Sequence, residues 1–145
     1  MTRPKYRPLN SKRGSALVEM ALIGVAFFVI LLGILDFSQF LFLQQALVER
    51  ARFAARWGAL SDPTNSTAIR NMVLYLSSTV PTDGTTPSFG LTAGMIDVAT
   101  PDAKTDNYRL VVKISGHSFA LLSPYLPSSV AGAPISVTVP LGLYD

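Results

Sequence analysis

The chain contains no cysteine. That absence excludes a thiol nucleophile, a cysteine zinc site and the disulfide staples on which small external domains often depend. Histidine is almost as scarce. His117, between Gly116 and Ser118, is the single one, and no cluster of acids surrounds it in sequence, so it reads as a structural residue. No Gly-x-Ser-x-Gly elbow or phosphate-binding loop occurs, and Ser118, Ser123 and Asp97 do not assemble into a triad from their spacing. With these site elements missing, no catalytic residue, metal site or cofactor is expected.

Acids are missing from the first fourteen residues, which carry five bases: Arg3, Lys5, Arg7, Lys12 and Arg13. Pro4 and Pro8 hold this stretch extended, so residues 1–14 read as a charged leader. The leader's charge exceeds the net charge of +3, leaving the remainder net negative. The basic pI of 9.5 is thus a targeting property. No basic stripe with interleaved aromatics lies beyond the leader, and nucleic acid is not an expected partner.

Beyond the leader, every residue from Met20 to Leu35 is apolar or glycine, sixteen in succession, and Leu17 and Val18 extend the run across Glu19. At 1.5 Å per residue, Leu17 to Leu35 covers about 28 Å, close to a hydrocarbon core roughly 30 Å thick. With only 14% charged residues, a chain of this size is poorly equipped to bury so long a cylinder that is apolar all round. The stretch is therefore expected to be a transmembrane helix over residues 15–36. The positive flank places the N-terminus in the cytoplasm and the rest across the membrane. A cleaved secretory signal needs a small-x-small site after the apolar core, and Asp36-Phe37-Ser38-Gln39-Phe40-Leu41 supplies none.

Glu19 admits two readings. An acid inside hydrocarbon costs about 2.5–3.5 kcal/mol and calls for a partner. Cutting after Gly14 would provide one, the new amine of Ser15, one helical turn away or on a neighbouring subunit. Otherwise Glu19 sits at headgroup level and favours the helix N-terminus through the dipole. Asp36, about 25 Å further along by helical rise, should meet the outer interface, either solvated or in contact with a partner.

Proline is absent between Pro8 and Pro63, so nothing stops the helix at Leu35. Phe40, Leu43, Leu47, Ala51, Ala54 and Gly58 recur at three- and four-residue spacing, predicting an extramembrane continuation over residues 37–60 that ends near Gly58. Ala51, Ala55 and Ala59 form a small-residue column suited to packing on the protein's own sheet or on another helix. Arg52 and Arg56 share a face, relieved in part by Glu49, and form either a solvated surface or a contact for an acidic partner.

The remaining residues, 61–145, hold eight of the ten prolines and form a small external domain. After the turn cluster Ser61-Asp62-Pro63-Thr64-Asn65, Ser66 or Thr67 can cap a second helix whose apolar face is Ile69, Met72, Val73 and Leu76. Residues 82–94 read as loop. Strands are predicted at Met95–Ala99, Tyr108–Ser115 and Ile135–Val139, with Pro101 to Asn107 as a loose hairpin loop. The expected class is α+β: one long N-terminal helix, a second short helix, and a small antiparallel sheet of about three strands laid on the outer half of the long helix.

The stretch from Arg13 to about Leu60 resembles TadE-like pseudopilins of the tight-adherence (Flp-type) pilus. Arg13-Gly14, with Glu19 as fifth residue after the glycine, is similar to the type IV prepilin processing motif. Gly33-Ile34-Leu35-Asp36-Phe37 resembles the family's pattern at the end of the span. Gln45-Ala46-Leu47 and Ala51-Arg52-Phe53-Ala54-Ala55-Arg56 resemble its following helix. The chain departs at Met20, where pilins of this system usually carry an aromatic residue, and at Ala54, where many members place glycine.

The resemblance implies cleavage between Gly14 and Ser15 by a prepilin peptidase, with Glu19 and Asp36 serving assembly register. It implies a minor pilin-like component of a bacterial inner membrane, partnered by other pilins or pseudopilins, the assembly platform and the lipid bilayer, and either extracted into the fibre or primed beneath it. An unprocessed bitopic protein whose external domain binds an envelope ligand or acts as an assembly chaperone is the alternative expectation.

Overall fold

The computed structural model describes residues 11–101, 105–124 and 127–142, and for residues 11–13 the backbone alone. Residues 1–10 of the leader expected over residues 1–14, and part of the loop before the second predicted strand, lie outside the described residues.

Helix α1 runs from Ser11 to Leu60, about 75 Å at 1.5 Å per residue. It starts ahead of Gly14, so the last residues expected as extended leader are helical. It also passes the expected end at Gly58. The Ser61 N–H closes the final turn on the Trp57 carbonyl at 3.0 Å, and Asp62 then accepts from the Thr64 N–H at 2.9 Å, turning the chain before it can continue.

The two halves of α1 have different surroundings. Residues 14–35 are exposed or half-exposed on every face. From Asp36 onward the helix acquires a buried stripe, Leu47, Ala51, Ala54, Ala55 and Gly58. The small-residue column thus serves the protein's own core, because alanine and glycine let a sheet and a second helix approach the backbone.

Helix α2 spans Ser66–Tyr75, and its cap is Asn65 rather than Ser66 or Thr67. The Asn65 side chain accepts from the Ala68 N–H at 3.0 Å, satisfying a donor that the first turn leaves open. Leu76 closes the other end in a left-handed conformation, φ 56°, with its N–H on the Met72 carbonyl. Its side chain is exposed, so the buried face is Ala68, Ile69, Met72, Val73 and Leu74. A Cβ at Gly58 would lie 2.7 Å from Ile69 Cδ1, so glycine there sets how closely α2 rides on α1. Arg50 of α1 donates to the carbonyls of Val73 at 3.1 Å and Leu74 at 3.4 Å, and its guanidinium stacks over Phe89. The segment expected as loop carries short 3-10 turns at Ser88–Gly90 and Ala93–Met95.

Three strands form the main sheet: β1 (Ile96–Ala99), β2 (Arg109–Ile114) and β5 (Ile135–Pro140), all antiparallel with β2 central. Register aligns apolar rows across the face that meets α1: Ile96, Ile114 and Ile135 in one row, Val98, Val112 and Val137 in the next, then Leu110 opposite Val139. Arg109 and Lys113 stand on the wet face of β2, as the alternation predicts. Between β2 and β5 lies a two-stranded hairpin that periodicity did not suggest, β3 (Ser118–Ala120) paired with β4 (Ser129–Ala131). The fold is α+β, with the C-terminal half of α1 as one wall of the core.

Candidate functional site

Near the N-terminal end of α1, Ser15 and Glu19 are both exposed and lie one turn apart. Gly14 sits in open space, where an added Cβ would meet nothing within 4 Å. Among the described residues nothing buries this end of the helix. Among the described residues α1 is the one helix long and apolar enough to cross a membrane.

The expectation of a solvated Asp36 at the outer end is not met. Its residue is 3% exposed. Both carboxylate oxygens point into the chain: Oδ1 accepts from the Leu122 N–H at 2.7 Å, and Oδ2 from the Ser123 N–H at 3.0 Å. Two N–H donors on one carboxylate make a charge-assisted clasp that fixes the segment after β3 to the side of α1. Beside it runs an apolar groove of about 330 Å³ lined by Gly33, Asp36, Phe37, Phe40, Leu121 and Val130.

Two turns further along α1, His117 lies just ahead of β3 and is 4% exposed. Gln44 Nε2 donates to the Ala133 carbonyl at 3.3 Å, turning Gln44 Oε1 toward His117 Nε2 at 3.4 Å. That orientation makes Nε2 the protonated ring nitrogen and leaves Nδ1 a bare acceptor, buried and without a partner. Burial lowers the imidazole's pKa below its ordinary value, since a cation would carry a second buried N–H with nothing to receive it. The ring packs edge-on against Phe119, which stacks edge-on against Phe40. A Cβ at Gly132 would fall 2.0 Å from His117 Nε2, so the ring occupies the space that any other residue there would need. The ring is thus enclosed between Gln44, Phe119 and Gly132.

Arg52 and Arg56 are exposed on α1. Arg52 is held by Glu49 at 2.7 Å, an exposed pair that contributes little stability. Arg56 stands beside a second groove, about 540 Å³, together with Ala59, Leu60, Tyr108, Val139 and Leu141. The structure therefore does not gather the predicted residues into one cluster. Gly14, Ser15 and Glu19 occupy one end of α1, Asp36 its middle, and Arg52 and Arg56 its outer half. Gln44, Arg50 and the Leu122 and Ser123 amides are the polar groups that sequence reasoning missed, and no local pattern marks them. Among the described residues no group of three His, Asp or Glu could hold a metal ion.

The pattern that organises this surface lies along α1. The family model for TadE-like proteins matches residues 14–56. The TadE-like segment thus takes in Gly14, Glu19, Asp36, Arg52 and Arg56, and it lies wholly within α1. It stops short of α2 and all five strands. No curated protein and no solved structure was found to match the chain.

Proposed function

We propose that this protein is a membrane-anchored, pilin-like component of a tight-adherence pilus. Its TadE-like segment would serve as both membrane span and assembly helix. The observation that carries this reading is the coincidence of the family match over residues 14–56 with a helix whose residues from Met20 to Leu35 are all apolar or glycine and are not buried by the other described residues. A helix apolar on every face needs an apolar solvent or apolar neighbours.

In this reading the basic residues up to Arg13 keep the N-terminus in the cytoplasm, and the sheet and α2 lie across the membrane. Residues 1–14 form the leader, 15–36 the span, 37–60 its continuation, and 61–145 the external part. A prepilin peptidase cuts between Gly14 and Ser15. The new amine and Glu19 then form a pair of opposite charges at the start of the span, which lets the helix lie beside other pilus subunits in a defined register. The role is structural, with the assembly platform and other pilins or pseudopilins as partners.

Intact-mass measurement of protein extracted from membranes tests the processing step. The expected result is a mass lacking the first fourteen residues. A mature protein that retains them overturns cleavage and favours the unprocessed bitopic alternative, an external part that binds an envelope ligand or chaperones assembly.

A further inference from the structure

The β3–β4 hairpin lies beside the last turn of the apolar run of α1. Leu121 and Val130 share the apolar groove with Gly33, and Gly33 lies inside the uninterrupted apolar run that ends at Leu35. An added Cβ at Gly33 would meet nothing within 4 Å, so the hairpin faces this last turn of the run across the groove, and it lies at the edge of the bilayer if that run is immersed. Its surface chemistry agrees. No Lys, Arg, Asp or Glu occurs from Ile114 to Tyr144, or from Phe37 to Val48 on α1. Leu122 is 60% exposed and Phe42 70%, with Phe37 and Leu41 also exposed. Asp36, the one charge in the middle of this surface, is covered by the hairpin and satisfied by two backbone donors. The lipid-facing surface therefore does not end at Asp36.

We propose that the β3–β4 hairpin is a second membrane contact. It sits in the outer leaflet beside α1, with Leu122 and Val130 among the lipid acyl chains and with acyl chains filling the groove lined by Gly33, Phe37, Phe40 and Leu121. The occupant is lipid because the groove is continuous with the uncovered apolar surface of the span, and because the flanking surface lacks the charges that polar partners would pair with. The carboxylate of Asp36 is tolerated at this depth because the hairpin backbone replaces water around it. The external part is thereby held against the membrane at two points.

This inference rests on the membrane reading of α1, and one experiment separates the two. The natural chain has no cysteine, so single substitutions Leu22→Cys, Leu122→Cys, Val130→Cys and Asp97→Cys each carry one nitroxide label. The full chain is reconstituted in vesicles of phosphatidylethanolamine and phosphatidylglycerol. Collision rates with oxygen, which concentrates in lipid, are compared with those of a water-soluble nickel chelate. The expected result is an oxygen-to-nickel ratio at Leu122 and Val130 shifted toward that of Leu22, with Asp97 at the aqueous extreme. A lipid-like Leu22 with aqueous hairpin labels overturns the second contact alone. Hairpin labels shielded from both agents, with dipolar broadening between copies, overturn lipid as the occupant and assign the groove to a second copy. An aqueous Leu22 overturns the membrane reading itself.

Discussion

Single residues in this protein are chosen by what lies against them. Gly132 is glycine because the His117 ring rests on its Cα, and its own N–H donates to the His117 carbonyl at 2.9 Å. His117 is neutral because its two ring nitrogens have one partner between them. The consequence for stability has a definite sign. As pH falls through the ordinary value of 6.5, the unfolded chain takes up a proton that the native chain refuses, so stability declines with acidity until the native, lowered pKa is reached. Stability attributable to this residue is complete above 6.5 and lost below it. Thermal unfolding of the detergent-solubilised protein should therefore shift to lower temperature from about pH 7.5 to about pH 5, and His117→Gln should reduce that shift. An equal shift in both proteins would assign the acid sensitivity to other groups.

At the scale of elements, legibility follows from whether a pattern repeats within one segment. The apolar run of α1, the Ile69, Met72 and Val73 stripe of α2, and the alternation of Leu110, Val112 and Ile114 with Arg109 and Lys113 each repeat several times, and each marks an element that forms. The β3–β4 hairpin has three residues per strand, too few for alternation to register. A two-stranded hairpin of that length is marginal on its own. It persists because Phe119 packs on Phe40, and because Asp36 holds the segment after β3 from 86 positions away in sequence. Backbone donors carry no residue signature, so Asp36 could be recognised as exceptional without its partner being nameable. Asp36→Asn tests the clasp: one backbone N–H keeps an acceptor and the other faces an amide donor, at a cost of about 1–3 kcal/mol. Hydrogen exchange at Leu122 and Ser123 should accelerate while the amides shared by β2 and β5 stay protected. Unchanged exchange at those two positions would mean that aromatic packing alone holds the hairpin.

At the scale of the whole molecule, the two halves of one helix have different surroundings, and this explains how a cysteine-free α+β part of modest size keeps a core. Leu47, Ala51, Ala54 and Ala55 contribute to the same buried cluster as Ile69, Leu110, Val112 and Ile114. The sheet and α2 are therefore completed by the outer half of α1. In the proposed membrane reading the N-terminal half of the helix is held differently, since unfolding there would expose backbone N–H and carbonyl groups to hydrocarbon. The two halves should part on destabilisation. Leu47 is 1% exposed in the middle of the cluster, and Leu47→Ala removes packing worth about 2–5 kcal/mol, a large fraction of the stability of a domain this small. In vesicles, brief proteolysis of Leu47→Ala should digest the sheet and α2 while leaving a membrane-protected fragment that contains Met20 to Leu35. The wild-type chain should resist the same treatment. Loss of the apolar fragment together with the sheet would show that the chain unfolds as one unit, and that the inner half of α1 depends on the protein rather than on lipid.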